Sequence, residues 1–144
     1  MGRPPATPPR SRDGAAHRFV PAPAAARRRV IRRWLGQAGV APERIFLDPG
    51  IGFGKTLEHN LELLASLDWM TTLGYPLLVG TSRKGFLGTI VRRAGFETNA
   101  TQRDAATAAT VALAVAAGAA VVRVHNVGHA LQAARTADAI VRAS

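Results

Sequence analysis

Cysteine is absent from the 144 residues, so the chain has no disulfide framework and no thiol chemistry; a cytoplasmic setting is the expectation. Acidic residues are scarce, 9 against 19 Lys and Arg, for a formal net charge of +10. That imbalance invites a nucleic-acid or membrane reading until it is located. Residues 1–33 hold nine arginines and one acid, Asp13, for +8, whereas residues 34–144 hold ten basic and eight acidic residues, for +2. The basicity therefore belongs to the head. Six of the nine prolines also precede Ala24, and few large apolar residues accompany them, so residues 1–23 are expected to be disordered. No continuous apolar region of the kind a signal peptide needs occurs between Met1 and Val20. No aromatic or glycine pattern accompanies the arginines, which disfavours nucleic acid as the partner. The one charge-free stretch, the eighteen residues 105–122, is rich in alanine and interrupted by Thr107, Thr110 and Gly118. It predicts a packed helix followed by a strand, and no membrane span.

What remains, residues 24–144, is long enough for one modest domain with a core. Ala24–Ala38 predicts a helix with Val30, Ile31, Trp34 and Leu35 as its apolar face. Ile45-Phe46-Leu47 reads as a short buried strand. Asp48 stands where that strand stops, and Pro49 cannot extend a ladder. Three glycines follow within five residues, Gly50, Gly52 and Gly54. Thr56 can cap a helix whose apolar positions are Leu57, Leu61, Leu64 and Leu67. A phosphate loop of the Walker type needs glycine where Pro49 stands, and a dinucleotide fingerprint needs glycine where Lys55 stands, so both patterns fail. On spacing alone, a carboxylate set at a strand end for a ligand and a plain turn acceptor fit Asp48 about equally.

A second strand, Tyr75–Gly80, leads into Thr81-Ser82-Arg83-Lys84-Gly85, where two cations beside small residues suit an anionic or carbonyl-rich ligand. A short helix ending at Arg92-Arg93 should follow. Thr101 with Asp104 marks the start of the alanine-rich helix, and Gly118 marks its stop. The third strand, Ala119–Val124, carries Arg123 and His125 on one face, a pairing suited to an anion. Gly128–Val141 closes the chain as an amphipathic helix. The order is a helix and then three strand–helix units, which implies α/β architecture with parallel strands.

Three stretches, RIFLDPGIGFGKTLEHNLELL (44–64), LLVGTSRKGFLG (77–88) and VRVHNV (122–127), together resemble the dihydropteroate synthases. The likeness covers roughly residues 24–144. It implies a partial (β/α)8 TIM barrel, namely the last three βα units and the helix before them. A whole barrel of this kind typically needs about 250 residues. The family joins 6-hydroxymethyl-7,8-dihydropterin pyrophosphate to p-aminobenzoate in folate biosynthesis, with Mg2+ and pyrophosphate leaving. By that resemblance Asp48, Gly80, Lys84 and Arg123 bind the pterin, and Asp48 and Lys84 are the catalytic residues. Phe53 and Lys84 adjoin the aminobenzoate, while Arg123 and His125 hold the pyrophosphate. The family's magnesium-side asparagine, two mobile loops and two further pterin ligands fall in a half that has no counterpart here. A non-catalytic fragment, or one half of a two-chain barrel, is therefore the competing expectation, with self-association through open sheet edges. Asn126 stands where the family usually has Asp, which is expected to alter how His125 is oriented.

Overall fold

The computed structural model describes residues 24–37 and 39–143. The expected disorder of residues 1–23 lies outside them. The sheet consists of β1 (Leu78–Val79) and β2 (Val121–Val122), parallel and in register Leu78 to Val121 and Val79 to Val122. Leu47 joins the other side of β1 through a single parallel bridge to Leu77. The Leu47 amide donates to the Pro76 carbonyl at 2.9 Å, and the Leu78 amide donates to the Leu47 carbonyl at 2.8 Å. The three chain passes therefore lie side by side in sequence order, all running the same way.

Every strand is shorter than its sequence suggests. Ile45–Leu47 shrinks to one bridge, with Phe46 53% exposed, Tyr75–Gly80 to Leu77–Val79, and Ala119–Val124 to Val121–Val122. Among the described residues the first and third passes each have a ladder partner on one side only. The central pass, flanked on both sides, is the most buried: Leu77 is 1% and Val79 2% exposed.

Helices α1 (Ala24–Gln37), α2 (Leu57–Ala65), α3 (Leu67–Thr71), α4 (Gly85–Arg93), α5 (Asp104–Ala116) and α6 (Val127–Arg142) connect and cover these passes. The core gathers Ile51, Leu67, Leu77, Val79, Phe86, Leu87 and Ala114. Helix α5 ends as expected, because Gly118 at φ +87° closes the turn. Its amide donates to Val115 O and that of Ala119 to Ala114 O, both at 2.9 Å, the paired bonds of a left-handed helix stop.

Three helix expectations need correction. The helix after Thr56 breaks at Ser66, and its buried stripe contains Asn60 (1% exposed) where Leu61 was expected; Leu61 is 44% exposed. Thr101 is not the cap of the alanine-rich helix. Asn99 Oδ1 accepts from the Gln102 amide at 3.0 Å while Gln102 Oε1 accepts from the Asn99 amide at 2.8 Å, a reciprocal capping box, and a 3-10 turn at Thr101–Arg103 then leads into α5. The third concerns the apolar face of α1, which is covered only in part: Ile31 and Leu35 are half-buried, while Val30 is exposed and Trp34 70% exposed.

Candidate functional site

The loop after Leu47 is built by two side chains that no motif rule would single out. Asn60 Oδ1 accepts from the Gly52 amide at 2.6 Å, and its Nδ2 donates to Thr56 O at 2.7 Å and Lys55 O at 3.5 Å. Lys55 folds back so that Nζ donates to Gly50 O at 2.7 Å and Phe53 O at 3.2 Å. Gly50, Gly52 and Gly54 all sit at positive φ, where a side chain is strained. Asp48 Oδ1 accepts from the Gly50 amide at 2.8 Å, so the turn-acceptor role is real. Its carboxylate nevertheless stays exposed at the strand end, so the turn bond leaves it accessible.

Lys84 ties this loop to the end of β1. Its Nζ donates to Ile51 O and lies 4.5 Å from the centroid of the Phe53 ring. Its stem crosses Gly52 so closely that a Cβ there would stand 2.5 Å from Lys84 Cδ. Glycine at 52 is thus needed twice, for its backbone angle and for the passage of Lys84. Desolvation lowers the Lys84 pKa from the ordinary lysine value; Asp48 opposes the shift, and Arg123 and Lys55 add to it. Four charged side chains from three strand ends therefore share one electrostatic neighbourhood.

Lys84 and Ser82 reach in different directions because the residue between them turns left-handed. Arg83 has φ +58°, the only described non-glycine residue with positive φ, and such strain persists only where surroundings fix it. Here Arg83 Nε and Nη2 donate to Asp104 Oδ1 and Oδ2 at 2.8 and 2.9 Å. The Arg83 amide donates to Thr107 Oγ1 at 3.1 Å, and its carbonyl accepts from Arg103 Nη1 at 3.0 Å. Arg83 is therefore structural and is not the second ligand cation of the pair. Thr81 and Thr110 hydroxyls, 2.7 Å apart, fasten the chain two residues earlier to α5.

On the third pass the exposed positions Arg123 and His125 alternate with half-buried Val122 and Val124, as strand geometry requires. The Arg123 guanidinium lies over Gly80, where a Cβ would meet Nη2 at 3.3 Å and Nε at 3.4 Å. The space above Gly80, expected to admit a flat pterin, holds that guanidinium in this structure. Ser82 Oγ accepts from the His125 amide at 3.1 Å and lies 2.8 Å from His125 Nδ1. Asn126 does not orient His125 through its side chain. It caps α6 by accepting from the His129 amide at 3.2 Å, and Nδ2 donates to Asp104 Oδ2 at 3.0 Å. An aspartate at 126 would set two carboxylates against each other, so Asn126 suits the carboxylate of Asp104.

Those bonds hold the Asp104 carboxyl down at about 2, first through Arg83 and then through Asn126, against an ordinary value of 3.8. The folded chain therefore binds this proton more weakly than the unfolded chain. Its contribution is complete above pH 4 and lost as the pH falls from about 4 through about 2. Thermal melts should accordingly separate wild type from Asp104→Asn above pH 4 and converge by pH 2; a gap unchanged at pH 2 would contradict the assignment.

Of the predicted site residues, Asp48, Phe53, Lys84, Gly80 and Arg123 come together at the ends of the three passes. His125 lies on the same third pass, held by Ser82. Sequence reasoning missed Asn60, Ser82 and Asp104. A polar residue on an apolar stripe was the available signal for Asn60; Asp104 was read as part of a helix-start signal with Thr101, whereas its carboxylate binds Arg83 and Asn126. Among the described residues no three His, Asp or Glu gather around one point. These residues do not by themselves fit a magnesium ion.

Parallel passes with polar side chains at their C-terminal ends and helices between them make an α/β arrangement consistent with part of a barrel. A family model described as pterin binding enzyme matches residues 3–125, and the chain belongs to that family. The matched span reaches well into the arginine- and proline-rich head. A dihydropteroate synthase of Synechocystis is 48% identical over 104 residues, 72% of this chain and 35% of the relative. One of Streptococcus pyogenes is 49% identical over 90 residues, 62% of this chain and 33% of the relative. A dihydropteroate synthase from Clostridium difficile, crystallised in the presence of pteroic acid, superposes with a TM-score of 0.69 at 42% identity, covering 78% of this chain and 41% of that one. That of Yersinia pestis in complex with a sulfonamide drug gives 0.74 at 32% identity, covering 90% and 47%. The chain spans about a third of the length of the curated relatives it matches.

Proposed function

We propose that this chain carries one side of a dihydropteroate synthase site, built on the last three βα units of a (β/α)8 barrel and the helix before them. The reaction condenses 6-hydroxymethyl-7,8-dihydropterin pyrophosphate with p-aminobenzoate to give 7,8-dihydropteroate and pyrophosphate. Asp48 accepts from the amino-pyrimidine edge of the pterin, because an exposed carboxylate at a strand end can receive two N–H bonds. Lys84 hydrogen-bonds the pterin beside it, and Phe53 packs on the aminobenzoate ring. Arg123 stacks on the pterin and, with His125, stabilises the departing pyrophosphate, where charge develops as the bond at the pterin methylene breaks.

The observation that carries this reading is Lys84 bridging from β1 to the glycine loop, with Asp48 and Arg123 close enough to act on its charge. Pteroic acid is the direct probe. Titration followed by fluorescence should give saturable binding, weakened about 10- to 100-fold by Asp48→Asn, since hydrogen bonds to a charged group are worth about 1.5–3 kcal/mol. Absence of binding, or equal binding by the variant, would overturn the reading. Turnover by this chain alone, with both substrates and magnesium, is expected to be negligible, because positioning of all the groups can supply about 7–11 kcal/mol.

Self-association belongs to the same proposal. The first and third passes carry ladder bonds on one side only, and Phe46, Val121, Leu113 and Ile140 are exposed around them and on α5 and α6. Sedimentation of the purified chain should show dimers or larger species; a compact monomer that binds no hydrophobic dye would contradict it.

A further inference from the structure

The Ser82 hydroxyl is buried at 8% exposure, at the end of the central pass, and makes two contacts, both to His125. It accepts from the backbone N–H at 3.1 Å and stands 2.8 Å from Nδ1. A serine hydroxyl has one proton and two lone pairs. The backbone N–H occupies one lone pair, so the hydroxyl proton needs an acceptor, and a buried donor without one is costly. Among the described residues the acceptor bonded to it is Nδ1. With Nδ1 accepting, a neutral imidazole carries its proton on Nε2, the ring nitrogen left over for a ligand. We infer that Ser82 is a positioning residue that fixes His125 as the Nε2–H tautomer, so that the exposed imidazole presents a donor to an anionic group of the pyrophosphate type. The inference rests on the proposed anion role of His125 but adds the residue that sets its protonation pattern.

The position of Ser82 is itself determined. The left-handed Arg83 follows it, locked by Asp104 and Thr107, and Thr81 before it is bonded to Thr110. The serine therefore cannot drift without breaking contacts to α5. Its double contact fixes the ring through backbone and side chain together, so the imidazole has little freedom to flip.

The test uses the full chain labelled with 15N, with the His125 ring signals assigned from a His125→Gln variant and long-range proton–nitrogen correlations read at a pH where the ring is neutral. The expected result is Nε2–H in wild type, a mixture of tautomers in Ser82→Ala, and recovery in Ser82→Thr, which keeps a hydroxyl. Binding of inorganic pyrophosphate should weaken about 3- to 10-fold in Ser82→Ala, the size of one neutral hydrogen bond, and recover in Ser82→Thr. An Nδ1–H tautomer in wild type overturns the inference without needing any variant to fold. So does an unchanged tautomer in Ser82→Ala, or pyrophosphate affinity lost in His125→Gln but kept in Ser82→Ala. Wild-type chain that binds no pyrophosphate, or binds it equally as His125→Gln, instead overturns the anion reading; the tautomer then still decides whether Ser82 sets the ring.

Discussion

Replacing Asn60 by leucine is expected to destabilise the chain by about 2–3 kcal/mol, the cost of a buried donor left without its acceptor together with a poorer fit. For a domain of this size that lowers the Tm by roughly 10 °C. Asn60 is 1% exposed, and the Gly52 amide has its carbonyl oxygen at 2.6 Å. Leucine would satisfy the apolar stripe of α2 better than asparagine does, so the hydrophobic pattern alone forecasts a gain. The forecast of a loss comes from bookkeeping on the loop: Gly52 N–H has no other acceptor there, while Thr56 O keeps the Asn60 amide at 3.2 Å. Denaturant unfolding decides between the two, and a stability change within about 0.5 kcal/mol would show that the loop is held by something else.

The legible and illegible parts of this chain divide along a physical line. Helix stops were readable because they depend on a single residue's backbone angle: Gly118 ends α5 where a left-handed turn was expected. Strand directions and the face shared by Arg123 and His125 followed from alternation, which is local. Strand lengths were not readable, since a ladder depends on neighbours distant in sequence, and Ile45–Leu47 holds a single bridge. The same division runs through the site. Asp48, Lys84 and Arg123 could be picked out because charge at a strand end is conspicuous and the motifs resemble a known family. Asn60 and Ser82 could not, since their role is to satisfy particular amides and a ring nitrogen, and composition carries no trace of such partners. Arg83 and Lys84 look alike in sequence yet differ completely in place. One is consumed by Asp104, the other crosses Gly52 to the carbonyl of Ile51.

Lys84→Met is expected to lower the affinity for pteroic acid roughly 10- to 100-fold, the value of one or two hydrogen bonds from a charged donor, with a stability change within about 1 kcal/mol. The two effects separate because methionine retains an unbranched stem to cross Gly52, while the amine it removes is already burdened by desolvation. That burden lowers the Lys84 pKa, so losing the charge relieves a cost as well as losing the bond to Ile51 O. The cation lies 4.5 Å from the exposed Phe53 ring, a contact worth about 0.5–1 kcal/mol at such a site, which keeps the net change small. The pH dependence supplies an independent check. A lysine with a lowered pKa sheds its proton at a lower pH than an ordinary one, so wild-type affinity should fall on raising the pH before free lysine would titrate. Lys84→Met should show no such limb. Equal affinity in the variant, or a pH limb that survives the substitution, would move the binding role from Lys84 to Arg123. A large loss of stability with affinity intact would make Lys84 a strut for the glycine loop, as Asn60 is.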